Sequence, residues 1–483
     1  MKNDNYKWIA LACTTLGALL SVMSGSTLVI ALPVMMKDLN PGMGVVTWIL
    51  MGYLLVLTIL VPSIGRVADM VGRKKLYVSG FAIFTITSFL CSLSHTGMQL
   101  LIYRLIQGIG GSLMVANSTA IVTDAFPKKE LGKALGINSM AISVANVIGP
   151  ILGGFLVNFG WRSIFYINIP FGIFGTIWAA TQLKELTSLP EKQKFDWMGT
   201  FVFTIGIMSM LISLTLGSLL GWLNIIVIGL LIASIVLMVI FVKIERKAEY
   251  PMIDLRLLNT RILAFANASN FFNGVARGAV TFLLVFYLQG IKAMDPIIAG
   301  MYLTPLAISM VIISPISGAL SDKYGSRTLS SIGLIISAIG LLGFMTITTT
   351  TSITMLVIYM LIMGFGSGLF FSPNTNAIMG SVPADKRGVA AGLRTMLNTG
   401  GSVISIALSM AIISSSVTPE AMQALFVGTQ VGSQGIAIGK FIGALRLAFS
   451  ISFGFSVLAA ILSYLRGPEP KWDTESEPEL KLA

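Results

Sequence analysis

Gly65-Arg66-Val67-Ala68-Asp69-Met70-Val71-Gly72-Arg73-Lys74-Lys75 is a short polar interruption between two apolar runs, each long enough to cross a bilayer. Four cations, one carboxylate and two glycines are more chemistry than a passive turn needs. A weaker copy stands at Gly318-Ala-Leu-Ser-Asp322-Lys-Tyr-Gly325-Ser-Arg327, which keeps both glycines, the acid and one arginine but lacks the triple-cation run. The pairs Gly65/Gly318, Asp69/Asp322 and Gly72/Gly325 are each 253 residues apart. Gly108-Ile-Gly110 recurs as Gly364-Phe-Gly366, and Pro127/Pro383, Gly132/Gly388 and Gly136/Gly392 keep the same separation of 256 residues. A register held over such a length predicts two halves of like orientation.

The composition says what solvent the chain lives in. With 483 residues, 55% of them hydrophobic and only 11% charged, and a mean hydropathy of +0.87, the chain falls outside the range of soluble globular proteins. Backbone groups in hydrocarbon must bond to one another, and the runs lack the alternation of a barrel, so they are helices. The fold class is an all-α membrane protein in contact with the lipid bilayer. The first run continues apolar from Trp8 to Met36 without a small-residue cleavage site, which predicts a retained helix rather than a removed leader. Cys13 and Cys91 lie in apolar runs and His95 is the single histidine, so neither a disulfide framework nor a metal site is expected. A net charge of +12 would suggest nucleic acid in a soluble protein; here it reflects the bias of cations toward one membrane face, and no nucleic-acid partner is expected.

Apolar segments fall at roughly 8–36, 46–68, 75–94, 98–124, 132–158, 163–183, 197–216, 222–242, 261–289, 297–321, 327–347, 353–378, 388–416 and 441–465, about fourteen spans in all. An even count puts both termini on one side. With that side inside, the inner loops take nearly all the lysines and arginines, and the outer side keeps only Lys37, Arg162, Lys292 and Lys440. This predicts a multi-pass cell-membrane protein with both termini cytoplasmic. The expected organisation is a six-helix bundle over 1–185, an inserted helix pair with inner linkers over 186–245, a second six-helix bundle over 246–466 and a disordered inner tail over 467–483.

With these features together, the chain resembles the major facilitator superfamily, and within it the fourteen-helix drug/proton antiporter branch. The family's inner-loop signature, G-x-x-x-D-x-x-G-R-[KR]-[KR], is matched by Gly65, Asp69, Gly72, Arg73, Lys74 and Lys75. Arg104-Leu-Ile-Gln107-Gly108-Ile-Gly110-Gly111 is similar to its fourth-helix signature. Gly149-Pro150-Ile-Leu-Gly153-Gly154 is similar to a fifth-helix pattern that in this family marks exporters. The resemblance implies a secondary active transporter working by alternating access, with a proton gradient as its driving force and no cofactor. It implies a gate built from Gly65, Asp69, Gly72, Arg73 and Asp124, with Asp322, Gly325 and Arg327 as the second-half counterparts. The bland reading of the loop cations, as topology signals only, stays open beside it.

Charges at depth are expensive and mark sites. Arg104 shares a face of its helix with Gln107, and Arg277 shares one with Asn270 and Asn273, seven and four residues earlier. Each arginine either lines a cavity or clamps backbone carbonyls. Arg394 and Arg446 stand nearer helix ends, where they can snorkel. Asn374 and Asn376 are further candidate contacts for a small-molecule substrate, or interhelical glue. Cation-exporting members of the branch carry an Asp in the first helix, in a pattern like L-D-x-T-I-V-N-V-A-L-P, whereas this chain reads Met23-Ser24-Gly25-Ser26-Thr27, with Ser24 at the acidic position. No acidic residue lies deep in any predicted helix, which shifts the expected cargo toward neutral, amphipathic or anionic molecules. The reading is a proton-coupled exporter of drugs or amphipathic and anionic small molecules, acting as a monomer. A metabolite importer or uniporter of the same fold is the alternative, with a receptor that has kept a transporter fold behind it. An enzyme is not expected, because no nucleophile, metal or acid-base pair lies at depth.

Overall fold

Every backbone N–H and C=O that enters hydrocarbon has to bond within its own segment, and the apolar runs do so as long helices. The computed structural model describes residues 4–39, 42–185, 196–249, 251, 260–382, 387–418 and 434–467. The linker over 186–195, residues 252–259 of the next one and the expected disordered tail beyond 467 lie outside the described residues. The helices are α1 (Asp4–Leu39), α2 (Met43–Val71), α3 (Arg73–Ser92), α4 (Gly97–Ala125), α5 (Lys128–Val157), α6 (Ser163–Tyr166), α7 (Asn168–Gln182), α8 (Trp197–Leu220) and α9 (Ile225–Lys247). They continue with α10 (Arg261–Arg277), α11 (Val280–Phe286) and its π-helical extension Tyr287–Ile291, α12 (Pro296–Tyr324), α13 (Ser326–Met345), α14 (Ile353–Gly380), α15 (Arg387–Ser416) and α16 (Gln434–Leu465).

Counting α6 with α7, and α10 with α11 and its extension, as single rods gives the fourteen helical rods expected. Thirteen are long and apolar enough to cross a membrane among the described residues. The 30-residue α5 is the other. The ninth rod is not the continuous helix the hydropathy predicts. It breaks at Gly278, where an added Cβ would lie 2.4 Å from the Ser402 Cα of α15, and Ser405 Oγ accepts the Ala279 N–H at 3.0 Å.

The sequence repeat reappears as packing. A Cβ on Gly110 would sit 2.8 Å from the Gly80 carbonyl, and one on Gly366 would sit 2.4 Å from the Gly333 carbonyl, so α3–α4 and α13–α14 are the same close seam built twice. Gly108 likewise meets the Tyr53 carbonyl of α2, and Gly364 the Leu306 carbonyl of α12. Positive-φ glycines, Gly72 at 114° and Gly325 at 80°, turn the chain between the helices at both copies of the polar loop.

Fourteen rods of alternating direction put the start of α1 and the end of α16 on one side of the bundle, here the terminal side; the other is the far side. Clusters of buried apolar side chains near the terminal side stay within one half, such as Ala10, Cys13, Tyr77, Phe81 and Leu183 in the first and Leu263, Ala266, Ile378, Val382 and Ala390 in the second. The largest cluster instead joins both halves, mainly on the far side through Leu28, Ile49, Phe165, Phe282, Phe286, Leu303, Ile413 and Phe449, and continues toward the terminal side through Leu393, Val202 and Phe241 of α15 and the inserted pair. Gln289 Nε2 donates to the Ile30 carbonyl across this junction at 3.1 Å. The inserted pair α8–α9 lies against α2 and α15; Ser63 Oγ meets Thr200 Oγ1 at 3.3 Å, and Phe203 packs on Phe241.

Gly366→Leu has no room, since its first side-chain carbon would fall 2.3 Å from the Ser337 nitrogen. It is expected to lose about 1–3 kcal/mol of stability, read as a lower melting temperature of the purified protein, whereas Gly229→Ala, with nothing within 4 Å, is expected to melt with the wild type.

Candidate transport site and gate

The polar loop is held by residues from three places in the chain. Arg73 Nη1 pairs with Asp124 Oδ2 of α4 at 2.5 Å and donates to the Ala120 carbonyl at 3.3 Å. The first turn of α3 offers several unpaired N–H groups, and its own sequence, Arg-Lys-Lys, supplies no acceptor. Glu185, just beyond α7, fills that need: Oε1 accepts the Arg73 N–H at 2.9 Å and Oε2 the Lys74 N–H at 3.1 Å. A carboxylate at the positive end of a helix is well placed electrostatically. Gly72 is required twice over, by its φ of 114° and because a Cβ there would lie 2.7 Å from Glu185 Oε2. The missing cap on α3 signals that an acceptor is needed but not which residue supplies it.

The Arg73–Asp124 pair joins α3 to α4, so it braces one half rather than bridging both. Lys7 pairs with Glu130 at 2.8 Å within the same half. Asp69 lies in the last turn of α2, a helix that packs against α15 of the other half; its side chain and that of Asp322 lie outside the described residues. A Cβ on Gly65 would meet nothing within 4 Å. In the second half Arg327 Nε donates to the Tyr464 carbonyl at 2.8 Å and lies 4.1 Å over the Tyr464 ring. Neighbouring Arg466 is 1% exposed and donates to Asn374 Oδ1 at 3.1 Å.

The fifth-helix glycines form a three-helix seam. Gly149 and Gly153 of α5 meet Ser26 and Thr27 of α1, while Gly154 meets Pro296 and Ile297 of α12, and Gly300 of α12 meets the Pro150 carbonyl. This run therefore forms part of the contact between the halves, on the far side.

Arg104 and Gln107 come together as expected but are sealed. Arg104 is 1% exposed. Its Nη1 donates to Gln107 Oε1 at 2.6 Å and to Ser24 Oγ at 2.8 Å, its guanidinium stacks 4.4 Å from the Tyr53 ring centroid, and Gln107 Nε2 donates to Ser88 Oγ at 2.7 Å. The partners of Arg104 are side chains rather than the backbone carbonyls of the clamp reading. Ser24, at the position where the related cation exporters carry an acid, stands directly on the guanidinium, whose contacts among the described residues are neutral oxygens and a ring.

Arg277 is half-buried at the end of α10 and lacks a hydrogen bond or ion pair among the described residues. Asn273, one turn earlier, is buried. Asn270 Nδ2 donates to the Arg394 carbonyl of α15 at 2.8 Å and its Oδ1 faces Asn398 Nδ2 at 3.4 Å. Asn374 donates to the Ala266 carbonyl at 3.2 Å and Asn376 to Ser321 Oγ at 3.2 Å, so both serve as glue between helices in this state.

The sequence profile described as Major Facilitator Superfamily matches residues 14–241, 189–406 and 266–482, the overlapping matches reflecting the repeat. The chain belongs to that superfamily. Among similar proteins are the riboflavin transporter RibZ of Clostridioides difficile, 34% identical over 85% of this chain and 88% of that one, and the multidrug transporter protein MdtP of Bacillus subtilis, 32% identical over 81% and 73%. A bacterial homologue of the human lysosomal transporter Spinster, solved inward-facing and unoccupied, superposes with a TM-score of 0.67 at 16% identity, covering 95% of this chain and 97% of that one; it shares the fold. This member of the superfamily is thus a multi-pass membrane protein whose relatives are transporters.

Two measurements check the site. Ser24→Asp sets a carboxylate beside the Arg104 guanidinium and is expected to raise the melting temperature, because a buried charge gains more from a paired acid than from a hydroxyl; an unchanged or lower value would mean that neutral oxygens already satisfy it. Arg73→Ala or Asp124→Ala is expected to cost about 1–3 kcal/mol, and the double variant is expected to cost less than the sum of the two, as a double-mutant cycle on thermal stability would show.

Proposed function

We propose that this protein is a secondary active exporter of drugs or amphipathic and anionic small molecules, working by alternating access. It uses the proton gradient and no cofactor, acts as a monomer and has both termini in the cytoplasm. The observation that carries the reading is the asymmetry of the core. One apolar cluster joins both halves, most of it on the far side, with Leu393, Met396 and the inserted pair carrying it toward the terminal side along α15, while the other described terminal-side clusters each stay in one half. That is the expected form of a carrier closed to the outside.

Transport then requires the far-side junction to come apart and remake. The α1–α5–α12 seam suits this, because glycines leave backbone against backbone with few side chains to unlock, and Pro150 removes one backbone donor from α5. The Gly72 turn, capped by Glu185 and braced by Arg73 and Asp124, keeps α2, α3 and α4 moving as one body. In this reading the acid of Asp69, a residue of the last turn of α2, meets the amino end of a second-half helix when the terminal side closes. Proton coupling is assigned to the rim carboxylates Asp69 and Asp124, since no acidic residue lies deep in the sequence-predicted spans. The likeness to a named riboflavin transporter supports a second reading, a metabolite carrier of the same mechanism working in either direction.

In everted vesicles, an acid-inside pH gradient is expected to drive accumulation of a cargo dye, with loss on collapse of the gradient; accumulation unaffected by a protonophore would remove the proton coupling. Gly154→Leu, whose Cβ would lie 2.6 Å from the Pro296 carbonyl, is expected to abolish transport while leaving membrane insertion normal. Asp69→Asn is expected to do the same; full activity in that variant would remove the gate.

A further inference from the structure

Four described arginines sit within helical rods, and two of them make side-chain hydrogen bonds, although Arg104 Nε is itself buried without one. Arg104 is enclosed by Ser24, Gln107 and Tyr53, as above. Arg446 Nε donates to the Ile347 carbonyl at 2.7 Å. Arg277 and Arg394 are different. Both are half-buried, and neither makes a side-chain hydrogen bond or ion pair among the described residues. Arg394 Nε is buried without a partner, and its guanidinium rests only on the Phe371 ring of α14, 5.6 Å from the centroid.

The two belong to one seam. Asn270 meets the Arg394 carbonyl, Gly274 meets the Asn398 carbonyl and Gly278 meets Ser402, so α10 and α15 run parallel in a fixed register. Arg277, next to the Gly278–Ser402 contact, stands about two turns beyond Arg394, or roughly 12 Å along the seam at 1.5 Å per residue. Asn398 and Asn273 lie between the two levels. Leaving a guanidinium unpaired near the middle of a rod, as at Arg277, costs about 2.5–3.5 kcal/mol even on lenient scales and less for Arg394 nearer its helix end; a charge kept there without a protein partner is expected to face water rather than lipid.

We propose that Arg277 and Arg394 form an anion-binding site for the cargo, and that the cargo is an amphipathic organic anion whose acidic groups pair with both guanidiniums while its apolar body lies along Phe371 and the seam. The site opens toward the terminal side, where Arg394 is met first and Arg277 second. Guanidinium forks hold carboxylate, sulfonate and phosphate groups in two-point hydrogen bonds, and Asn398 supplies an additional donor. A lipophilic cation would meet two like charges and no acid. Arg394, whose position near a helix end suggests snorkelling from sequence alone, becomes a specificity residue because Asn270 and Phe371 hold it on the seam.

This rests on the transporter reading but not on the direction of transport, and its test is equilibrium binding by the purified full chain in a neutral detergent. Carboxyfluorescein and rhodamine 6G share a xanthene core and carry opposite charge; naphthalene disulfonate serves as a smaller anion, displacing carboxyfluorescein. The wild type is expected to hold carboxyfluorescein at least tenfold more tightly than rhodamine 6G. Arg277→Gln and Arg394→Gln are each expected to weaken it by tenfold or more, with Arg→Lys at either position keeping part of the affinity and gel-filtration profiles unchanged. Preference for rhodamine 6G, equal anion affinity in the double Gln variant, or failure of the wild type to bind either anion would overturn the site. Anion binding without proton-driven transport would keep the site and remove the exporter; proton-driven efflux of rhodamine 6G alone would do the reverse.

Discussion

A charge or backbone polar group that enters hydrocarbon finds its partner inside the protein or pays several kcal/mol, and the architecture of this chain follows from how that demand is met. The backbone meets it by helix formation. The cations meet it in three ways: ion pairs and carbonyl contacts near the terminal side, as with Arg73 and Arg327; enclosure by hydroxyl, amide and ring, as with Arg104; and exposure to water, as with Arg277 and Arg394. Only the third leaves binding capacity unspent.

The second constraint is that helices in lipid gain little from hiding apolar surface from one another, so their association depends on close contact. Glycine makes that contact, and its distribution separates rigid seams from movable ones. Gly80–Gly110 and Gly333–Gly366 lock α3 to α4 and α13 to α14 inside each half. Gly149, Gly153, Gly154 and Gly300 line a seam that crosses between halves, where the same close contact must be broken and remade. The inserted pair α8–α9 covers the α2–α15 junction and leaves the α5–α12 junction to these glycines.

Much of the fold was legible without coordinates, for reasons that are local or periodic. Helix number follows from apolar run length, and the two-half plan from a repeat at fixed separation. The Arg73–Asp124 contact was legible because two polar residues stood at the same end of adjacent apolar runs. Glu185 was not, since its partner is a pair of backbone N–H groups 111 and 112 residues away. For Asn374 and Asn376 cargo contact and interhelical glue stay open in the sequence, because a polar side chain on an apolar helix looks the same whether it faces water or another helix.

By itself, then, the sequence determined class, helix count, the duplicated plan and superfamily, because hydrocarbon imposes length, composition and spacing on every residue that crosses it. Tertiary structure decided which of the deep arginines is spent and which is free. Arg104 and Arg277 carry the same charge in similar apolar surroundings along the chain, but only the packing of α1, α2, α3 and α4 brings Ser24, Tyr53, Ser88 and Gln107 around the first. Only the parallel register of α10 and α15 places Arg394 two turns from the second.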